Sequence, residues 1–554
     1  MWRAFGIGRD RVGSAVDAAT AKVNARTQIS RGSGSSSSAS RSATPAMHQK
    51  KKKRPQKRIS RPQKAKLKKT VSKKKIPKAS TAQTDTSTCF SASHWGMPTA
   101  LTAKLDSWGS AFVRVVWACG RVALAATGLS ATWPSQNQLH VGTDCSGAEA
   151  PIWALRAMGI THVHKYSCDI EAGVRRFIQA TSPPQGPIYT DMLARDLSDM
   201  PAHSIYCCGF PCKAFSSLRR HSTKLLKEAS AKPFFAVLKV IRHHMPLIAV
   251  LENVRGIRIV FRQVFAHLKT IAGYFIFVVP IDSVDLGEPI SRPRYYFILI
   301  RQDVAVSGDV SFLTGLIKNM YSAARSDVSG HVSDMMLPTH SAAVREFALK
   351  RSRSVAFGSS GVQGDAQRQQ TRAFGSSGVQ GGAQHQRTCE FGLTPRQQLV
   401  LEGARKKCRE AGGKDVIINV SQSEGRATLR FNGISPTLTP GGCVVVDRAR
   451  RVMVPIEKLM LHGFPIHRMK IPTSTSNTQL ASLGGNTMHV KCVGLALLMG
   501  IVLVNWNHSS AHPGAEPFQG KPIPSTSVVL PFGVSDGQTP AAKTTRRRCA
   551  GVRV

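Results

Sequence analysis

The sequence predicts an α/β protein built on a mostly parallel sheet of seven strands, with long basic tails outside it. Three observations carry this. Between residues 138 and 300, short apolar runs alternate with segments of helical period, the signature of strands joined by crossover helices. Polar residues able to do chemistry recur at or just after the ends of those runs. The flanks hold few apolar residues and much of a large positive charge: Lys and Arg number 76 against 31 Asp and Glu, a net charge of +45 over 554 residues.

The charge bounds the class of partner. An enzyme for a small neutral metabolite has no use for such an excess, whereas a polyanion rewards it through counterion release. Anionic lipid is the rival partner. The 12 cysteines form no CxxC pair and no Cys/His set with zinc spacing, and are too sparse for a disulfide scaffold. The expectation is a reduced, intracellular protein without a metal. The longest apolar run, Cys492 to Val504, is short for a bilayer span and reads as a buried helix.

Residues 1–96 read as a disordered basic tail. Lys50 to Arg54 and Lys73 to Lys75 are basic clusters of the kind used as nuclear address signals or nucleic-acid arms. The Arg- and Ser-rich first forty residues also suit an organelle transit peptide. Residues 97–137 read as a helical lead-in, with one or two helices between Leu101 and Leu129.

The regular part, 138–301, opens with a strand at 138–143 and a turn at Asp144-Cys145-Ser146-Gly147. Ala148 to Met158 is a helix ended by Gly159. Further strands fall at Thr161 to Cys168, Ile188-Tyr189, Ser204 to Cys208, Leu247 to Leu251, Tyr274 to Ile281 and Tyr295 to Ile300. Helices fall at Phe234 to His243 and Val264 to Ile271. Ligands of such sheets bind outside the carboxyl ends of the strands. Gly147, Asp169, Asp191, Cys212 and Glu252 therefore share one rim.

Residues 302–425 lose the pattern. Ala356 to Gly364 recurs 17 residues later at Ala373 to Gly381, a duplicated Gly/Ser/Gln-rich linker. Thr394 to Glu410 reads as a helix. In 426–505, Arg430 to Thr439 and Cys443 to Asp447 are extended, Ile456 to Leu461 is helical, and Leu483 to Thr487 leads into a last apolar helix reaching Val504. Residues 506–554 read as a second disordered tail.

On this frame the chemistry can be read locally. Gly209-Phe210-Pro211-Cys212 breaks the fourth strand into a loop, and a cysteine there is either a nucleophile or a small buried hydrophobe. The Asp144–Gly147 turn with Asp169 at the next strand end is the layout of a nucleotide- or adenosyl-binding site, or an ordinary strand-to-helix turn. Glu149 beside it argues against a pyrophosphate and for a cofactor bearing positive charge. Glu252 at a buried strand end is costly unless paired or functional; it could exchange a proton with a ring nitrogen or serve as a cap or salt bridge. Arg292 and Arg294 could grip a phosphate or carbonyl oxygen, or lie in a basic loop.

Taken in order, Gly-Phe-Pro-Cys, Glu252-Asn253-Val254 and Arg292-Pro293-Arg294 resemble the cytosine-5 DNA methyltransferases. Ser435-Pro436-Thr437, Gly463-Phe464-Pro465 and Gly485-Asn486-Thr487 match later motifs of that family. The resemblance runs from 138 to 505 with a gap from 302 to 425. It implies a Rossmann-like class I methyltransferase sheet with a smaller target-recognition region inserted at 302–425, and a C-terminal helix within 426–505 that returns to the catalytic domain. It implies S-adenosyl-L-methionine as methyl donor and double-stranded DNA as partner, with RNA such as tRNA as the alternative polymer, and a silent DNA- or chromatin-binding relative as the alternative class. A nuclear location follows for a DNA enzyme with such a tail.

The same resemblance implies roles. Cys212 attacks C6 of a flipped-out cytosine, Glu252 protonates N3, Arg294 holds O2 and Arg292 supports the site. Cys145, Gly147, Asp169, Ile170, Asp191, Met192, Pro211 and Asn486 surround the cofactor. Cys207 and Cys208 point into the packing of the sheet. The sequence departs from the family at Cys145 (an aromatic), Glu149 (glycine), Lys213 (glutamine) and Ile290 (glutamine).

Overall fold

The structure is a computed structural model that describes residues 88–135, 139–211, 231–353, 390–425 and 428–507, together with the backbone of 528–529. The expectations for both tails, for the 17-residue duplication and for Cys212 and Lys213 fall outside these residues, except at 88–96, 506–507 and 528–529.

The lead-in is a single helix, α1 (Thr99–Ala125), whose buried stripe of Leu101, Leu105, Phe112, Val116 and Leu124 keeps helical spacing. Then come β1 (His140–Asp144), α2 (Ala150–Ala157), β2 (Val163–Cys168), α3 (Ala172–Thr181), β3 (Ile188–Tyr189), β4 (Ile205–Cys208), α4 (Lys232–His244), β5 (Ile248–Val254), α5 (Phe261–Leu268), β6 (Tyr274–Ile281) and β7 (Arg294–Arg301). All seven expected strands are present, two with the expected bounds and the rest within three residues of them. Helix α3 was not anticipated, although Val174, Phe177, Ile178 and Thr181 mark its buried face.

The main sheet, closed at one edge by the short β12 (Val528–Val529), runs β12-β6-β7-β5-β4-β1-β2-β3. β7 is antiparallel to both neighbours, and every other pair is parallel. The eighth strand, β12 (Val528–Val529), pairs with Ile276 and Phe277 at the β6 edge. It corrects the reading of 506–554 as wholly unstructured: two β-branched residues suffice to extend an open edge.

Alternation along the strands divides the interior in two. Ile205, Cys207, Ile248, Val250, Phe277 and Ile298 face one apolar cluster, which α1, α2 and α3 help to build. Tyr206, Cys208, Ala249, Leu251, Ile276 and Phe297 face another, formed with α4 and α5. Cys207 and Cys208 are both fully buried, on opposite faces, and burial pushes both thiols up.

Residues 302–425 hold more order than the sequence suggests. α6 (Val310–Ala324), capped by Asp309, packs against α1 in the first cluster. Further on, α7 (Pro395–Glu410) covers a small antiparallel sheet of order β11-β10-β8-β9, with β8 (Ile417–Asn419), β9 (Leu429–Arg430), β10 (Val444–Val446) and β11 (Arg451–Val452). This sheet draws β8 from 302–425 and the other three strands from 426–505. The chain then returns through α8 (Pro455–Leu461), α9 (Asn477–Asn486) and α10 (Val490–Val502). Asn477–Val502 is long and apolar enough to span a bilayer by composition, but 89% of its most apolar window is buried inside the protein. In this fold it is core.

Candidate active site

The register of β5 on β7 sets the centre of the site. Val254 pairs with Arg294 and Glu252 with Tyr296, so Glu252 and Arg294 lie diagonally on one face of the sheet. Their side chains meet, with Arg294 Nε 2.9 Å from Glu252 Oε1, both nearly buried. A carboxylate at a buried strand end is stable only with such a partner.

The loop after β4 arrives at the same place. Asn253 donates from Nδ2 to the carbonyl of Phe210 at 3.0 Å, which ties the end of β5 to the Gly-Phe-Pro-Cys segment. Gly209 is a close approach: a Cβ there would stand 2.9 Å from Met488 Cε and 3.5 Å from Glu252 Oε2. The described loop ends at the half-buried Pro211, one residue before Cys212. Arg294 also turns Nη1 onto the carbonyl of Pro293 at 2.9 Å.

Arg292 does different work. It is buried, and its guanidinium donates to the carbonyls of Gly485 at 3.4 Å and of Thr487. Its backbone N–H donates to Asp282 Oδ1 at 2.7 Å. It thus fastens the α9–α10 junction to the β6–β7 connection. Asn486 sits in that junction, at the end of α9 and exposed, donating to Ser482 Oγ at 3.3 Å. The Ser-Pro-Thr segment is laced to the same entry: Ser291 N donates to Ser435 O at 2.9 Å, and Thr437 Oγ1 to Ser291 O at 2.7 Å. Ile290 is fully buried here, bridged to Ser435.

The first turn of the sheet is wound through three left-handed residues, Cys145, Gly147 and Glu149, with φ of 49°, 56° and 61°. Gly147 N donates to Asp169 Oδ2 at 3.2 Å and Glu171 N to Oδ1 at 2.9 Å, so Asp169 clasps the turn to the end of β2. Burial raises the Asp169 pKa against those bonds. Cys145 Sγ lies 3.7 Å from the sulfur of the buried Met192, which joins this turn to the end of β3. Asp191 Oδ1 accepts from Leu193 N at 2.8 Å. Ile170 is 75% exposed beside Asp169. The candidate cofactor residues at the first three strand ends therefore gather at one rim.

The structure corrects the reading of Glu149. Its carboxyl is fully buried and turned inward: Oε1 accepts from Thr143 Oγ1 at 2.9 Å and Ser167 Oγ at 2.6 Å, and Oε2 has no partner among the described residues. Burial pushes its pKa up to about 8, against the lowering effect of the hydroxyls. At neutral pH it is an uncharged acid and offers nothing to a cationic cofactor. The neighbouring His164, 3.8 Å away, is pushed down to about 3 by burial and by the positive fields of His162 and Arg156.

Sequence reasoning missed Arg195. Its guanidinium forms a two-pronged pair with Asp144, sandwiched between the rings of Tyr166 and Tyr189 at 5.4 and 5.3 Å, and Tyr206 donates to the same carboxylate at 2.7 Å. Nothing in the local sequence distinguishes it from other arginines of so basic a chain. Lys458 was also missed. It is buried within an apolar helix and donates to the carbonyls of Thr439 at 3.0 Å and Gly442 at 2.9 Å, and burial lowers its pKa to about 8.

A separate cleft of about 710 Å³ opens in the small domain between His331, Lys414, Phe431, Asn432, Arg448 and Arg450. None of the residues above lines it.

Comparisons with known proteins give the chain's family. A DNA (cytosine-5-)-methyltransferase DMT5 from Verticillium dahliae is 24% identical over 454 residues, covering 65% of this chain and 19% of the relative. The type II methyltransferase M.HhaI of Haemophilus parahaemolyticus is 25% identical over 143 residues, 25% of this chain and 40% of that protein. The chain thus spans about a fifth of the fungal relative's length. The crystal structure of S. pombe Dnmt2 methyltransferase aligns with a TM-score of 0.40 at 14% identity, covering 65% of this chain and 98% of that one. Residues 145–495, more than half of the chain, match the C-5 cytosine-specific DNA methylase family, and the protein belongs to it.

Proposed function

We propose that this protein transfers a methyl group from S-adenosyl-L-methionine to C5 of cytosine in double-stranded DNA through a covalent bond between Cys212 and C6. One observation carries the reading: Glu252 and Arg294 face each other at the strand ends to which Asn253 ties the Gly-Phe-Pro-Cys loop. An acid and a guanidinium beside a cysteine-bearing loop are what a pyrimidine needs. Arg294 holds the O2 carbonyl, Glu252 takes a proton from solvent as the base enters and hands it to N3, and the ring becomes electrophilic at C6. Cys212 adds there as the thiolate, so that electron density builds at C5, the carbon to be methylated. Once C5 has taken the methyl group, loss of the C5 proton to a base expels the thiolate and restores the ring. The ion pair seen here is the resting arrangement, and a base entering between the two groups takes over both contacts. Arg292 holds the frame and stays with its carbonyls.

The residues of the first turn fit an adenosyl cofactor. The outer side of Gly147 is open, since a Cβ there would meet nothing within 4 Å. Exposed Ile170 offers an apolar surface for a purine, while Asp169 and Asp191 present carboxylate oxygens to hydroxyl and amino groups. When bound, S-adenosyl-L-methionine supplies the electrophilic methyl. The target atom lies inside the duplex, so the cytosine must be extruded. The basic clusters at 50–54 and 73–75 support delivery to the nucleus.

The test is adduct trapping. DNA containing 5-fluorocytosine, which blocks the release step, should give a labelled covalent complex with wild type and none with Cys212→Ser. An adduct in both or in neither rejects the mechanism. Preferential transfer to RNA rejects the choice of polymer.

A further inference from the structure

The layer formed by α4 and α5 has an unusual outer surface. Between residues 231 and 281 the chain holds seven Lys and Arg and one acid, Glu252, which is committed to Arg294. All seven cations are exposed. On α4, Lys232, Lys239, Arg242 and His243 fall at helical spacing on one stripe. On the short 3-10 helix Arg255–Val260 and α5, Arg255, Arg258, Arg262 and Lys269 do the same. Arg242 bonds Thr270, and Phe235 packs on His267 at 5.0 Å, so the two stripes belong to one surface. Asp196 stands near His243 at one edge.

The position of this surface supplies the partner. Arg255 follows Glu252 by three residues, so the cationic ridge starts at the rim where the candidate active site lies and runs away from it. The rise of a helix places Arg262 and Lys269 about 10 Å apart, a spacing a phosphodiester strand can follow. We infer that the α4–α5 face is a second DNA surface, outside the methyl-transfer cleft, that takes the sugar-phosphate backbone of the duplex without reading its sequence. The inference rests on the proposal that duplex DNA is the polymer acted on.

The test is the salt dependence of duplex binding by the full chain, measured by anisotropy on a labelled oligonucleotide. Arg255→Gln, Arg258→Gln and Arg262→Gln are combined in one variant. A control of equal charge combines Arg114→Gln, Arg121→Gln and Lys318→Gln, all exposed on α1 and α6 across the sheet. The ridge variant should lose about 2 to 3 from the slope of log K against log salt, roughly 0.9 per phosphate released. The control should keep the wild-type slope. Equal losses in both would show a general charge effect and overturn the proposal, as would no loss in either, or a loss confined to RNA. A ridge-specific loss in a preparation that transfers no methyl would uphold this surface and reject the methyl-transfer reading instead.

Discussion

Glu149 stands where the motif resemblance implies a glycine, and burial explains how the fold tolerates an acid there. The residue is left-handed, as a glycine would be, and its carboxyl has been turned into the polar seam between β1 and β2. Kept uncharged, it braces Thr143 and Ser167, which flank the cofactor turn. Its pKa rises from 4.5 to about 8 on folding, so the folded state holds a proton that the unfolded chain releases. The stabilisation is fully present below pH 4.5 and is lost as pH rises to about 8, by up to about 5 kcal/mol for an unrelaxed site. His164 has the opposite sign: pushed down from 6.5 to about 3, it costs stability as pH falls through that window. Glu149→Gln keeps the Oε1 acceptor and cannot ionise. Its urea midpoint should match wild type near pH 6 or exceed it, and should pull further ahead by pH 8.5. A constant gap between the two across that range would show that Glu149 carries no such proton.

At the scale of elements, the sequence was legible where one physical signal dominates. Buried strands are apolar runs, and β4 to β7 were found that way. The motif residues were legible for a related reason: each sits at a strand end, where a polar group interrupts an apolar run. What was missed lacks such a signal. Helix α3 has a buried face but is rich in Arg and Gln, and α6 contains Gly315 and β-branched residues. β12 is two residues long, and the reversed direction of β7 lies in no local pattern. The partners Arg195 and Lys458 are defined only by tertiary contacts. Arg292 is the sharpest case, because as a sequence feature it looked like part of the chemistry. Its guanidinium instead pins the α9–α10 junction, and Gly485 shows how tight that junction is, since a Cβ there would lie 2.1 Å from Pro440 N. Arg292→Met should therefore destabilise by about 2–3 kcal/mol, seen as a lower urea midpoint, by leaving two buried carbonyls unpaired. Arg292→Lys, with fewer donors in a different geometry, should recover less than half of that. A variant with wild-type stability and lost adduct formation would return Arg292 to direct contact with substrate.

At the scale of the whole molecule, charge and fold are separable. The sheet, its two helical layers and the C-terminal return build a methyltransferase core that needs no net charge, yet the chain carries +45. From Gln49 to Lys78, 16 of 30 residues are Lys or Arg and none is acidic, and two roles compete for the stretch: an address read by a transport receptor, or an arm that neutralises DNA phosphates. Salt distinguishes them, because receptor recognition leaves no mark on DNA binding whereas each phosphate contact adds about 0.9 to the salt slope. An arm covering about six phosphates would make affinity fall by roughly 10³ between 50 and 200 mM salt. Deleting residues 1–78 should flatten the slope by several units and weaken low-salt binding, while leaving adduct formation at saturating DNA in place, since the candidate site residues lie from Cys145 onward. If the slope of the truncated chain equals that of the full chain, the tail is an address alone. The salt dependence must then come from the folded part, where the α4–α5 ridge is the first place to look for it.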